Sequence, residues 1–304
     1  MIILNSLFPV FILIVLGVLL RARGFTDTSF LQQSDRLVYY IFFPVMLFWK
    51  IGGAPYGADI NWSFCLVTLA VLIFMFVVSA LVIRFLPVHS FQAGSFSQSC
   101  YRFNTYIGVA VILNSLGEQG IAIFGILIGL AIPMVNIYAV STLIWFSGEE
   151  LSMARRVKML VRALAANPLI IGCASGLLYS RAFGEFPAFL NNSLQLLSMV
   201  TLPMALISIG GSLTFAGVQL HFFNAFAAAF LKLMLLPGAG YVAYTLAGID
   251  GIPFKVGMIF LSLPASTAIY VLSSQLNSDT ELASSSIVLS TLLSFVPLSI
   301  VLLL

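Results

Sequence analysis

Charge is scarce in this chain: charged residues make up only 8 % of 304, with ten acidic, thirteen basic and two histidine side chains. A water-soluble domain of this length needs a polar outer surface, and this composition cannot supply one. Cysteine is also scarce. Cys65, Cys100 and Cys173 lie in apolar stretches at unrelated spacings, which excludes a disulfide framework and reads as three small buried hydrophobes. His89 and His221 stand alone near the ends of apolar runs, with no Cys or carboxylate at ligand spacing, so no metal centre is expected. Neither a carboxylate pair nor a Ser/His constellation falls within an apolar run, so an enzyme is not expected either. Nothing points to a nucleic-acid partner.

What the chain does have is apolar length. Its mean hydropathy is +1.12, and runs of about 20 apolar residues, enough to cross a hydrocarbon core of roughly 30 Å, follow one another with short polar breaks. Lipid is the solvent in which helices can be apolar on every side, so the partner of this surface is a bilayer. The stretch before Leu20 lacks a basic leader and runs into Arg21 and Arg23, so it reads as a first span rather than a signal peptide. Ten helices are expected, over residues 2 to 20, 31 to 52, 62 to 86, 91 to 116, 120 to 147, 162 to 180, 187 to 213, 219 to 247, 254 to 276 and 281 to 304. With ten spans, Arg21, Arg23, Arg36, Arg84, Arg155, Arg156, Lys158 and Arg162 fall on one side, while Arg181 and Lys255 fall on the other. The positive-inside rule puts the larger group in the cytoplasm and both termini outside.

Sliding the chain on itself by 159 residues lays Pro9 on Pro168, Gly17 on Gly176, Pro44 on Pro203 and Gly52 on Gly211 without a gap. Apolar coincidences are cheap here, but prolines and glycines punctuate the backbone. Two five-helix units are therefore expected, residues 1–147 and 161–304, joined by a basic linker at 148–160. An odd number of spans per unit makes the second copy enter the membrane upside down. Inverted repeats are typical of secondary transporters, whose substrate sits near the midplane between them. The fold expected is thus an all-α membrane protein of two inverted five-helix repeats, with Pro44 and Pro203 as structural hinges.

Two spans carry internal breaks. Arg102, Asn104, Thr105 and Gly108 interrupt the fourth, and Leu263-Pro-Ala-Ser-Thr267 interrupts the ninth. Pro264 removes a backbone donor, and Ser266 and Thr267 can bond carbonyls left free. In the fourth span the break rests on Gly108 and on the competing amide of Asn104. Broken backbone at membrane depth is tolerated where protein or an aqueous cavity satisfies it; a kink without function is the plainer alternative. Arg102 and Lys232 lie near the middle of spans four and eight, and no acidic residue lies at that depth. A cation in such a place calls for an anionic ligand, or else snorkels or bonds carbonyls. Half-helix N-termini after Gly108 and Thr267 would add to the preference for an anion. Asn136, beside Pro133, lines the site or holds helices together. Gly125-Ile-Leu-Ile-Gly129 and Gly172-Cys-Ala-Ser-Gly176 read as close-packing faces.

These segments resemble the auxin efflux carrier family of bacterial permeases, similar in fold to the plant PIN exporters and more distantly to bile acid sodium symporters. The residues that carry the resemblance are Phe8-Pro-Val-Phe with Gly17-Val-Leu-Leu-Arg21, Phe43-Pro-Val-Met-Leu47, Arg102-Phe-Asn-Thr-Tyr-Ile-Gly108, Asn167-Pro-Leu-Ile-Ile171, Leu202-Pro-Met-Ala-Leu206 with Gly210-Gly-Ser-Leu213, and Leu263-Pro-Ala-Ser-Thr267. In order and spacing they cover essentially the whole chain. The resemblance implies a crossover of broken helices four and nine, with a scaffold of spans 1, 2, 6 and 7. It implies that spans 3 to 5 and 8 to 10 form a transport domain that moves elevator-fashion. It also implies organic anions as substrates, auxin-like acids in plants and malate or malonate in bacteria. Asn104 matches the crossover asparagine, with Tyr106 in the same segment, and Pro264 the crossover proline. The proline that many relatives carry in helix four is missing from Gly108-Val-Ala110.

The function expected is a permease for a small mono- or dicarboxylate in a bacterial inner membrane. Its substrate would meet Arg102, Asn104, Thr105, Tyr106, Gly108, Asn136, Lys232, Pro264, Ser266 and Thr267. No cofactor is expected. Coupling is open between sodium, for which Ser266, Thr267, Ser273, Ser286 and Ser290 offer oxygens, a proton carried on the substrate, and uniport. The alternatives are a sodium-coupled symporter of the bile-acid type and a membrane sensor that binds a ligand without moving it. The glycine-rich faces, with the resemblance, allow a homodimer.

Overall fold

The computed structural model describes residues 2–53, 61–85, 88–146, 158, 161–162, 165–214 and 217–304. The expected linker at 148–160, with Arg155 and Arg156, lies outside the described residues apart from Lys158. All regular structure among the described residues is helical: α1 (Ile2–Ala22), α2 (Thr28–Leu37), α3 (Phe43–Gly52), α4 (Trp62–Phe85), α5 (Ser90–Tyr101), α6 (Thr105–Phe146), α7 (Pro168–Ala182), α8 (Ala188–Ser212), α9 (Phe222–Phe230), α10 (Leu236–Leu246), α11 (Gly251–Leu261), α12 (Ala268–Gln275), α13 (Thr280–Leu293) and α14 (Phe295–Val301). Single π-helical turns, Val38–Phe42 and Leu231–Leu235, join α2 to α3 and α9 to α10.

Among the described residues five helical stretches are long and apolar enough to cross a membrane, and six if α13 and α14, bent by 42°, form one span. Their outer faces carry Phe8, Leu66, Phe74, Phe189 and Phe223, all large and exposed, while serines and threonines lie buried inside. That inversion of the soluble pattern is what a lipid environment selects, and the protein is a multi-pass membrane protein.

Caps and corners explain the local boundaries. Asp27 accepts from the Phe30 N–H at the start of α2, Asn167 from Leu169 and Ile170 at the start of α7, and Asp279 from Glu281 and Leu282 at the start of α13. Gly117, at φ +64, turns the chain inside the long stretch α6, a conformation only glycine adopts without strain.

The chain forms two compact units. The first comprises residues 1–61, 106–130 and 163–213, and the second 62–105, 131–162 and 214–304. The first therefore includes 106–130, a stretch that the family resemblance assigns to the moving domain. In this unit α1 packs on α8 and α3 on α7. A Cβ on Gly17 would strike the Ile207 carbonyl and lie 3.0 Å from the Gly211 nitrogen; one on Gly176 would lie 3.0 Å from the Phe48 carbonyl oxygen and 3.3 Å from the Gly52 nitrogen. Gly17 with Ile207 and Gly211, and Gly176 with Phe48 and Gly52, are the same contact set exchanged under the 159-residue offset. The Thr201 hydroxyl donates to the Phe42 carbonyl at 3.2 Å, and these two positions are themselves offset partners. Pro44 follows the π turn at the start of α3, and Pro203 sits inside an unbroken α8.

In the second unit α5 is short, serine-rich and buried along nearly its whole length. Hydroxyls tie it to its neighbours: Ser97 to Ser79 at 2.9 Å, and Ser95 to Ser273 at 2.8 Å and Ser278 at 3.0 Å. A polar helix of this kind is tolerated in a membrane only where other protein satisfies it.

Candidate functional site

The second unit contains two breaks that meet. After α5 the chain is non-helical from Arg102, which is extended, to Asn104, and after α11 it is non-helical from Leu263 to Ser266. The Asn104 N–H donates to the Pro264 carbonyl at 2.9 Å, so one strip supplies the donor and the other the acceptor. The Phe103 and Phe260 rings pack with centroids 4.4 Å apart beside this bond. Both Asn104 and Phe103 are buried.

Each break has its own chemical cause. Pro264 offers no N–H, and Ser262 bonds back to Met258 at 3.1 Å to close α11. Ala265 turns its N–H to the Ser290 hydroxyl on α13 at 3.0 Å. Ser266 then opens α12, its hydroxyl accepting from Ala268 at 3.3 Å and its carbonyl from Ile269 at 3.1 Å. In the other strip the sequence placed the break around Asn104 to Gly108. The structure starts the half-helix at Thr105 and puts Gly108 inside it. The reason is nonlocal: the Asn104 N–H, which a continuing α5 would give to the Cys100 carbonyl, is held by Pro264 instead.

Arg102 is half-buried, and its guanidinium is held by amide oxygens. One nitrogen donates to Gln98 Oε1 at 3.1 Å, one turn back on α5, and another to Asn136 Oδ1 on α6 at 2.7 Å. Its own N–H closes α5 on the Gln98 carbonyl. The sequence reading singled out Arg102 and Asn136 separately and missed Gln98, whose i to i+4 spacing from Arg102 is the signal that would have found it.

Lys232 is fully buried in the π turn between α9 and α10 and donates to the Leu261 carbonyl at 3.1 Å. It thus sits at the carboxyl end of α11, where the helix dipole is negative and carbonyls lack helical partners. Pro264 is buried, and Ser266 and Thr267 are partly open. The structure thus brings Asn104, Pro264, Ser266 and Thr267 to the paired strips, adds Arg102 with Asn136 alongside, and ties Lys232 to the end of α11.

Tyr106 and Gly108 belong to the first unit, since the chain passes from the second unit to the first after Thr105. There Tyr106 packs edge-on against Phe43 at 4.8 Å. Lys50 pairs with Glu118 and lies 4.2 Å from the Trp49 ring. His221, read as standing alone, lies among Gln92, Asp279 and Glu281. Among the described residues no group of three or more His, Cys, Asp or Glu side chains could hold a metal ion.

A family model described as "Membrane transport protein" matches residues 2–302. The chain is also 24 % identical over 299 residues, 96 % of its own length and 95 % of the relative's, to an uncharacterized transporter of Methanocaldococcus jannaschii. The chain belongs to the membrane transport protein family, that of the auxin efflux carriers.

Proposed function

We propose that this permease carries a small organic anion, a mono- or dicarboxylate, at the crossing of its two broken helices. The observation that carries the reading is the paired strips held by Asn104 and Pro264, with the Arg102 guanidinium presented by two neutral amides beside them. The Gln98 and Asn136 oxygens orient the guanidinium beside the strips, where it can attract an anion. The amino ends of α6 and α12, starting at Thr105 and Ala268, add positive dipole ends near the same backbone.

The glycine contacts related by 159 residues support two inverted five-helix repeats. Matching breaks after α5 and α11 support reading the short helices as halves of spans four and nine, for ten spans in all. The two compact units support a scaffold and a transport domain that move elevator-fashion, and the basic loops support a cytoplasmic side opposite both termini. The site we propose comprises Arg102, Asn104, Thr105, Asn136, Pro264, Ser266 and Thr267, all in the second unit. Lys232 stiffens it through Leu261. A homodimer in a bacterial inner membrane is the setting we propose.

A sodium-coupled variant of this reading has its own support. The buried hydroxyls of Ser262, Ser286 and Thr291 make no hydrogen bond, and buried oxygens without donors are what a small cation uses. Thermal stabilisation of the purified protein by a panel of carboxylates, with and without sodium, tests both, because a ligand that binds the native state raises its apparent stability. A carboxylate-specific shift absent from Arg102→Ala supports the anion site. Shifts that need sodium support the variant, and no shift with any carboxylate contradicts both.

A further inference from the structure

Outside the broken strips, the second unit gathers ionisable groups around His221. His221 precedes α9, Gln92 lies in the first turn of α5, and Asp279 and Glu281 open α13, so three helix starts converge there. His221 Nδ1 is 3.8 Å from Asp279 Oδ2, and Nε2 is 3.4 Å from Glu281 Oε2. The Gln92 side-chain nitrogen donates to Asp279 Oδ2 at 3.1 Å and reaches His221 Nδ1 at 3.4 Å, while its oxygen accepts from Asn224 at 3.0 Å. The side chains of His221 and Asp279 are 12 % and 8 % exposed, against 69 % for Glu281, so the imidazole and one carboxylate are enclosed and the other is open.

Protonation decides how many partners His221 can serve. A carboxylate only accepts and Asn224 only donates here, so the Gln92 nitrogen must face Asp279. A neutral His221 ring carries one N–H and can donate to only one of the two carboxylates. A protonated ring carries two, so that Nδ1–H can turn to Asp279 Oδ2 and Nε2–H to Glu281 Oε2, placing the imidazolium between two carboxylates. The ionisable groups brought to His221 are Asp279 and Glu281 from α13. From α5 comes the neutral Gln92, and among the described residues His89, which precedes α5, makes no side-chain hydrogen bond or ion pair.

Asp279 is tied to the turn between α12 and α13. Its other oxygen caps Glu281 and Leu282 at 3.0 and 2.9 Å, its N–H donates to the Phe91 carbonyl at 3.0 Å, and the Ser278 hydroxyl donates there at 2.8 Å. Two residues before Asp279, Asn277 holds the turn with φ at +52. The helix on its other side, α12, is the one that follows the Pro264 break. A displacement of Asp279 is therefore passed to the broken helix.

We propose that His221, with Gln92, Asp279 and Glu281, is a proton-binding switch that clamps the turn between α12 and α13, so that the mobility of the broken helix depends on pH. Hydrogen exchange on the full-length purified protein tests this without knowledge of the transported solute. It is run at about pH 5.5 and about pH 7.5, on either side of the usual imidazole range, and corrected for intrinsic rates. With only two histidines in the chain, His89→Gln leaves one imidazole NMR signal to report protonation of His221. Residues 268–282 are expected to exchange several-fold more slowly at the lower pH in the wild type. The difference should vanish in His221→Gln and shrink in Asp279→Asn, which keeps the helix cap and serves if the first variant fails to fold. Equal protection at both pH values while the His221 signal titrates overturns the proposal, as does a pH difference that His221→Gln retains.

Discussion

The backbone N–H of Asn104 donates to the carbonyl of Pro264 at 2.9 Å, joining two helix breaks that are far apart in the sequence. Neither strip can satisfy itself. The first has left the α5 ladder, and the second lacks the proline N–H. Breaking a membrane helix leaves polar backbone that lipid cannot solvate, and pairing two breaks lets each serve the other.

Restoring the missing donor tests the value of the second break. In Pro264→Ala the added N–H and released φ favour extending α11 through the strip. We expect a well-folded protein, assayed by its elution and thermal midpoint, with transport reduced at least tenfold. Unchanged transport would mean that the break serves packing alone.

The glycine contacts make a graded prediction. An added methyl at Gly17 runs into the Ile207 carbonyl, whereas at Gly176 the nearest atom, the Phe48 carbonyl oxygen, is 3.0 Å away. Overpacking costs about 1–3 kcal/mol, so Gly17→Ala should lower the thermal midpoint more than Gly176→Ala. The reverse order would contradict the packing described for α1 and α8.

Lys232 invites a substitution that keeps volume and removes charge. Lys232→Met leaves the Leu261 carbonyl without its donor, a cost of about 1–3 kcal/mol, partly offset because an apolar side chain is more at home there than a buried cation. We expect normal yield, a modest loss of stability and a transport rate that falls more than apparent affinity does, since the amine touches backbone at the end of α11. A large loss of affinity at unchanged rate would instead make Lys232 a direct ligand.

Removing the Ser290 hydroxyl isolates the turn after Pro264. Ser290→Ala strips the Ala265 N–H of its acceptor in a buried setting, for which we expect a loss of about 1–3 kcal/mol in chemical denaturation. Ser299→Ala, whose exposed hydroxyl bonds only the preceding turn, is the control and should change little.

Much of this was legible in the residues themselves. Proline is a backbone statement, so Pro264 marked its break directly. Glycines and prolines held their register under one offset, so the equivalence of Gly17 with Gly176 and of Gly52 with Gly211 could be read. Which glycine meets which could not, because a repeat reveals equivalence and says nothing of partners. The break in the fourth span was drawn too far along the chain for a similar reason: Gly108 is a local signal, whereas the Asn104 N–H that a continuing α5 would use is held by Pro264. His221 looked solitary because its carboxylates arrive from a turn far along the chain, and Arg102 looked bare because its amide partners carry no charge.

Flux measured with purified protein in liposomes tests the anion site most directly. Uptake of a small dicarboxylate such as malonate should be saturable in the wild type, lost in Arg102→Ala, and partly kept in Arg102→Lys, which retains the charge without the forked geometry. Asn136→Ala should weaken apparent affinity, because the guanidinium loses its 2.7 Å partner. Transport by Arg102→Ala at the wild-type rate and affinity would contradict the account.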